Sequence, residues 1–420
     1  MNALDVLYGS LAVVLAPWWL RKARGDWPER FGKIAPVPAQ PGNGTDPAGR
    51  KPRLLVHAVS VGEVNALRSL MPLLTAEAHV ILSVGTDTGI ARARAMFGRS
   101  ADVVRYPLDF SWSVRRFLDA ARPDAVTLVE LELWPNFVRE CRRRSIPVTV
   151  INGRLSPHSF RGYWRLRRWI GSTFASLEFA AVQDADYAAR FETMGVEPGR
   201  CLITGSMKWD TAVIEDAVPG SDELARDLGI DRARPLIVAG STGPGEEAIL
   251  HAACPAGAQL LCAPRKPERF DEAAVALPGC IRRSARTTPP SPADRYLLDT
   301  LGELRHAYAL ADVVVVGRSF VDLHGSDPIE PIGLGKATVV GPSVANFASI
   351  VETFERAGGV ARATRDDLPT VLTGLLADPA RRRALCEAGR ACIREHQGAS
   401  ARHAELLLAL LDRARTPPAC

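Results

Sequence analysis

The chain has 420 residues, too many for one core of ordinary size, so two domains are expected. Apolar residues at 47% and charged residues at 24% exclude a wholly disordered, collagen-like or multi-span membrane chain. The formal net charge of +5 is too small to mark a duplex-binding footprint, so no nucleic-acid partner is expected, while anionic small ligands or lipids fit it. The eight cysteines form no C-x-x-C pair and have no neighbouring His at zinc-ligand spacing, which fits a reducing compartment. Nearly all the cations are arginine. The lysines are Lys22, Lys33, Lys51, Lys208, Lys266 and Lys336 only, so each carries more weight than background surface charge.

From Ala3 to Leu20 the chain is apolar apart from Asp5, and Arg21, Lys22 and Arg24 follow at once. That length is marginal for a span, and Pro17 with Trp18 and Trp19 reads as an interfacial exit. Residues 1–34 are therefore expected to form a membrane-anchor helix and its basic flank, with the rest of the chain kept in the cytoplasm. A buried or interfacial amphipathic helix is the alternative. Residues 35–52, rich in Pro, Gly and Asn, read as a flexible tether. Strands are then predicted at 54–58, 80–84, 103–106, 125–129, 148–151 and 179–182, alternating with helical patterns. After a polar stretch the alternation restarts, with strands at 236–239, 259–263, 296–299, 313–316 and 338–340. Two α/β domains, 53–216 and 217–420, each with a parallel sheet, would leave a cleft between them, and ligands in such sheets sit beyond the carboxyl ends of the strands.

At the first strand end, Ser60-Val61-Gly62-Glu63 places a carboxylate in the opening turn of a helix. Glu63 is either a general base or a helix-dipole partner. The fourth strand runs into Glu130-Leu131-Glu132-Leu133-Trp134-Pro135-Asn136. Strand alternation would put Glu130 and Glu132 on one face, and an N-terminal capping cluster with Trp134 in the core is the other reading. Thr204-Gly205-Ser206-Met207-Lys208-Trp209-Asp210 holds a lysine in a turn near the domain junction, suited to an anion. In the second half, the glycine-rich turn Gly240 to Glu247 has the form of a phosphate cradle. It has no G-x-x-x-x-G-K pattern, and no G-x-G-x-x-G follows the first strand, so neither a Walker ATPase nor a dinucleotide site is indicated. Pro264-Arg265-Lys266-Pro267-Glu268-Arg269 gathers cations that would neutralise a phosphate or start a solvated helix. Asp299 to Leu304, Gly317-Arg318-Ser319 and Asp327-Pro328-Ile329-Glu330 complete the strand ends, and Glu330 is placed to accept ribose hydroxyls.

In this order, the segments Ser60–Glu63, Glu130-x-Glu132-Leu133-Trp134-Pro135-Asn136, Thr204-Gly205-x-Met207-Lys208-x-Asp210, Pro264-Arg265-x-Pro267-Glu268-Arg269-Phe270 and Asp299-Thr300-x-Gly302-Glu303-Leu304 resemble the Kdo transferases of lipopolysaccharide synthesis. These are membrane-associated GT-B glycosyltransferases that move 3-deoxy-D-manno-octulosonic acid (Kdo) from CMP-Kdo to a lipid A precursor. The resemblance implies two Rossmann-like domains facing a cleft, an acceptor-binding first and a CMP-sugar-binding second, with the last helix packing back on the first. It implies Glu63 as general base, and Glu130 and Lys208 as supports of the transition state. Pro264, Arg265, Leu301, Gly302, Glu303, Asp327, Pro328, Ile329 and Glu330 would bind the donor. It further implies inverting transfer without metal or cofactor, at the cytoplasmic face of the inner membrane in contact with its lipid. Another GT-B enzyme using a different nucleotide sugar, or a lipid-binding pseudoenzyme, are the alternatives. Three stretches depart from the family pattern. S-T-H-E-G-E-E, P-R-H-P-E-R and G-G-H-N-P-L-E carry Gly243 and Pro244, Lys266, and Ser326 and Asp327 here, so the family's histidines are absent and Asp327 adds a negative charge.

Overall fold

The computed structural model describes residues 4–6, 8, 10, 26–40, 50–285 and 293–415. The chain divides into two units, Met1–Thr211 with Gln397–Cys420, and Ala212–His396. The boundary lies at Thr211 rather than after residue 216, because the following residues are tied to the second unit. Arg390 binds Asp216 at 2.7 Å and the Glu215 carbonyl at 2.6 Å.

In the first unit β1 (Arg53–Ala58), β2 (His79–Val84), β3 (Asp102–Arg105), β4 (Ala125–Val129), β5 (Val148–Gly153), β6 (Ala180–Val182) and β7 (Cys201–Ile203) form a parallel sheet in the order β3-β2-β1-β4-β5-β6-β7. β1, β2, β4 and β5 are buried along their whole length, which is why their sequences read as unbroken apolar runs. Alternation splits them between two cores: Leu54, Val56 and Ala58 face one, Leu55 the other. The last helix, Ala399–Arg415, packs Ala404, Leu407, Leu410 and Leu411 into the first of these cores.

In the second unit β8 (Leu236–Thr242), β9 (Gln259–Pro264), β10 (Ile281–Arg282), β11 (Arg295–Leu297), β12 (Val313–Val316), β13 (Ala337–Val340) and β14 (Ala361–Arg362) are parallel in the order β10-β11-β9-β8-β12-β13-β14. Each sheet therefore reverses its winding once, between β1 and β4 and between β8 and β12. Those reversals are where open α/β sheets place ligands. The sequence reading found every strand of four or more residues and missed β7, β10 and β14, which have two or three residues at or near a sheet edge.

Two expectations about the N-terminal region change. The basic flank Arg21, Lys22 and Arg24 and most of the apolar stretch lie outside the described residues, and among the described ones no helix is long and apolar enough to cross a membrane. Asp5, however, is buried in the first unit. Its carboxylate accepts from the Ser111 amide at 2.8 Å, the Ser111 hydroxyl at 2.6 Å and Asn136 Nδ2 at 3.2 Å. The tether is also held at both ends. The Val37 amide donates to the Ala120 carbonyl, Lys51 to Gln40, and Arg50 makes a bidentate pair with Asp124 at 2.7 Å. Residues 41–49 lie outside the described residues. Asp5 thus ties the start of the N-terminal segment to the first unit. Deleting residues 1–24 should destabilise the first unit by about 1–3 kcal/mol, because Ser111 and Asn136 lose a buried acceptor. An unchanged urea midpoint would show that Asp5 contributes nothing.

Candidate active site

In the first unit Ser60 caps the helix Val61–Ala66 and forms a reciprocal box with Glu63. The Ser60 hydroxyl donates to Glu63 Oε1 at 2.9 Å and the Val59 amide to Oε2 at 2.7 Å, so both carboxylate oxygens are fixed just beyond β1. The structural and chemical readings of Glu63 are therefore compatible: the box orients the group that would remove a proton. Burial pushes its pKa up, and the charge of Glu130 adds to this.

Glu130 stands immediately after β4 in the left-handed region, with φ of 63°. The alternation argument for Glu130 and Glu132 fails for that reason: neither lies in the strand. The turn still gathers the acids. Glu132 is pushed up to about 7 by burial, then by the charges of Glu63 and Glu130. Trp134, expected in the core by one reading, is 42% exposed and donates Nε1 to Glu132 at 3.0 Å. Arg154, just beyond β5 in the segment Asn152-Gly153-Arg154-Leu155-Ser156 that the sequence offers as a strand end with an arginine and a potential cap, lies close enough for the Glu130 charge to favour its cationic form, and its amide donates to the Glu130 carbonyl.

The Lys208 turn is built by distant residues. Asn152, at φ of 51°, accepts from the Met207 amide at 3.1 Å. Asp210 receives the amides of Gly398 at 2.6 Å and Ser400 at 2.5 Å, at the start of the last helix. Buried His403 is held neutral by desolvation, with its pKa pushed down to about 3, and its Nε2 accepts from the Asn152 amide. The Ser69 hydroxyl donates to the Asp210 carbonyl at 2.9 Å, which places the Lys208 turn beside the segment that follows the Glu63 helix. Half-buried Lys208 therefore shares this edge of the sheet with the acids.

In the second unit the glycine-rich turn departs from expectation. Glu246 is fully buried, and its own carboxylate takes the amides of Gly243 at 2.8 Å, Arg318 at 2.5 Å and Phe320 at 2.9 Å. The Gly243 amide assigned from sequence to a phosphate is occupied from within, and the carboxylate ties the loop after β8 to the loop after β12. Buried Glu247 pairs with Arg269 at 2.9 Å and accepts from the Thr242 hydroxyl. With Arg269 engaged and Lys266 paired with Glu268 at 3.5 Å, the cation of this segment left for a ligand, among the described residues, is the arginine nearest the strand end. Arg265 donates its amide to the Thr242 carbonyl at 3.1 Å, and desolvation, then the Arg318 charge, lower its guanidinium pKa. Two cations in mutual repulsion at a strand reversal are an anion-binding arrangement. Ser241 and Arg318, at the reversal of the second sheet, both have positive φ near 60°, as does Glu130 at the reversal of the first.

The remaining residues expected to bind the donor differ in their contacts. Glu303 is opposed by burial, but Arg283 at 3.0 Å and Thr300 hold its charge and lower its pKa. Leu301 is 73% exposed, and exposed Gly302 sits at φ of 92°. Pro264 closes β9 and is buried. Asp327 Oδ1 accepts from the Ile329 amide at 2.9 Å at the start of the helix Ile329–Gly333. Pro328 precedes that helix, Ile329 is buried, and half-exposed Glu330 meets Arg305 at 3.4 Å. The charges of Glu330 and Asp327, after burial, raise the Tyr308 phenol, whose hydroxyl fills the space a Cβ at Gly240 would need. A cavity of about 610 Å³ lined by Ser319, Phe320, His324, Pro342 and Arg365 lies beside these loops, and none of the nine expected donor residues lines it. Among the described residues no group of three His, Cys, Asp or Glu side chains is set to hold a metal ion.

Two parallel-sheet α/β units with acids at one strand reversal and cations at the other define a GT-B-like glycosyltransferase fold. The UDP-GlcNAc 2-epimerase of Neisseria meningitidis covers 85% of the chain with a TM-score of 0.58 at 13% identity, and all of that structure is matched. The family described as 3-deoxy-D-manno-octulosonic-acid transferase (kdotransferase) matches residues 25–211. The 3-deoxy-D-manno-octulosonic acid transferase of Bordetella pertussis is 34% identical over 95% of this chain and 96% of its own length. That of Haemophilus influenzae is 32% identical over 86% and 87%. The chain belongs to the 3-deoxy-D-manno-octulosonic acid transferase family.

Proposed function

We propose that this enzyme transfers Kdo from CMP-Kdo to a hydroxyl of a lipid A precursor, with inversion and without a metal, at the cytoplasmic face of the inner membrane. The observation that carries the reading is the acid cluster of Glu63, Glu130 and Glu132 at the reversal between β1 and β4. A sugar hydroxyl has a high pKa, so its attack on the anomeric carbon needs a carboxylate that takes the proton as the bond forms. Glu63, fixed by Ser60 and Val59, is that base. Glu130 and Lys208 act on the developing charge, an electrostatic contribution of typically a few kcal/mol per group. The CMP phosphate leaves as an anion, and Arg265 with Arg318 is the cationic pair suited to meet it.

Calorimetric titration of CMP against UMP tests the donor assignment: CMP should bind more tightly, and preference for UMP would move the protein to another nucleotide sugar. The same titration examines Asp327. An asparagine there keeps the carbonyl that caps Ile329 while removing a negative charge near an anionic ligand. Asp327→Asn should therefore tighten CMP binding about 5-fold, on the order of 1 kcal/mol. Unchanged affinity would place the Asp327 charge away from the nucleotide.

A further inference from the structure

The second unit has a cavity at the edge of its sheet opposite the donor loops. Asp312 and Lys336 directly precede β12 and β13, whereas the loop that holds Arg318 and Asp327 follows β12. These strands have four residues each, so about 13 Å of sheet separates the two edges. The cavity, of about 400 Å³, lies between the starts of these strands and the helix Pro379–His396. Four cations line it, Lys336, Arg382, Arg383 and Arg390, against the acids Asp216, Asp312 and Glu387.

Most of these groups are answered by the protein itself. A Cβ at Gly335, which sits at φ of 68°, would meet the Arg390 guanidinium at 2.7 Å, so the glycine lets that group pack against the turn. There Arg390 gives Nε to the Gly333 carbonyl at 3.1 Å and Nη2 to the Glu215 carbonyl at 2.6 Å, and pairs with Asp216 at 2.7 Å. Asp312 accepts the Leu236 amide at 2.9 Å, and Arg382 donates to the carbonyls of Leu375 and Leu376. Lys336 and Arg383 differ: among the described residues neither side chain has a hydrogen bond or an ion pair, and exposed Glu387, one helical turn from Arg383, lies beyond ion-pair distance of both. Desolvation lowers the pKa of half-buried Lys336, Asp312 opposes this, and Arg232 and Arg390 add to it. An ammonium taken out of water beside guanidinium groups is costly, and an anion relieves that cost.

We infer that this cavity binds a soluble phosphate monoester. Charge selects the ligand class. Two lining cations lack a partner, and a phosphate monoester carries about −1.5 to −2 charges at neutral pH. Its oxygens can accept from the Lys336 ammonium and the Arg383 fork together, whereas one carboxylate would leave a cation unmatched. The volume admits a phosphate with a small sugar or polyol attached. Lys336 stands just past the helix Ile329–Gly333, at whose start Asp327 and Glu330 lie, so a ligand here would brace the donor loop from the opposite edge of the sheet. That consequence rests on the transferase reading, whereas the binding itself does not.

Calorimetric titration of glycerol 3-phosphate into the full chain tests the inference, with excess CMP present so that the site of Arg265 and Arg318 is filled. A single site is expected. Lys336→Gln should weaken it about 10-fold, and Lys336→Gln with Arg383→Gln about 50-fold, because each change removes a charge-assisted contact. Arg383 is exposed, so Arg383→Gln alone, expected to cost about 5-fold, answers the question even if the Lys336 variants fold poorly. Half-buried Cys386 lines the same cavity and reports where the probe sits. Its alkylation by iodoacetamide, read by peptide mass analysis, should slow about 5-fold or more with the probe bound, because a thiol reacts according to its access. That protection is read with or without CMP, so the inference and the transferase reading fail separately. Absence of binding, undiminished affinity in the double variant, or an unprotected Cys386 would each overturn the inference. So would tighter binding of malate than of glycerol 3-phosphate, which would make the ligand a dicarboxylate.

Discussion

Glu63→Gln is expected to leave CMP affinity nearly intact and lower turnover at least ~100-fold. The fold should survive, because glutamine also completes a capping box with Ser60. Only the capacity to take a proton is lost. The pH dependence should carry the same signature. Burial first, then the Glu130 charge, raises Glu63, and Glu132 beside it stands at about 7. A carboxylate with a raised pKa is protonated below that value and cannot act as a base there. The wild-type kcat/KM should therefore climb as pH rises toward neutrality, and the residual rate of the Gln variant should lose that slope. Near-wild-type turnover in Glu63→Gln would assign the base elsewhere, with Glu132 the next residue to replace.

Glu246→Ala should be the most damaging single change in the second unit, at about 3–5 kcal/mol, because three backbone amides lose their acceptor in a buried site. That is a large share of a domain's usual ~5–15 kcal/mol. Oε2 serves Gly243 and Arg318 while Oε1 serves Phe320, so Glu246→Gln should fall between wild type and Ala: one oxygen remains and an NH2 opposes the third amide. Urea unfolding followed by a probe in the second unit measures both. A loss below ~1 kcal/mol for the Ala variant would mean that the loops after β8 and β12 satisfy their amides without it.

The long central strands were legible because residues buried on both faces of a parallel sheet must be apolar along their whole length. β7, β10 and β14 were not, since two or three residues hold no period and their pairing is set by the neighbouring strand. The Ser60–Glu63 box was visible as a local pattern, whereas the left-handed turn at Glu130 has no local marker. The motifs themselves proved to be mixtures. Asp210, Glu246, Glu247 and Arg269 stand in or beside segments that read as chemistry, yet their partners are structural and lie at the start of the last helix, in the loop after β12 and across the β8–β9 pair. Sequence spacing cannot separate such a residue from a ligand-binding one, because a buried carboxylate finds its amides through the tertiary fold. Asp5 shows the same effect, its one polar group in an apolar stretch being satisfied more than a hundred residues away.

The account rests on transfer of Kdo itself, and mass analysis of the lipid after incubation of the purified protein with CMP-Kdo and a lipid A precursor measures that directly. The expected product is heavier than the acceptor by Kdo less one water, forms in step with CMP release, persists in EDTA and is lost in Glu63→Gln. An unmodified acceptor with CMP-Kdo left intact, while a uridine-linked sugar is consumed by the same protein, would contradict it.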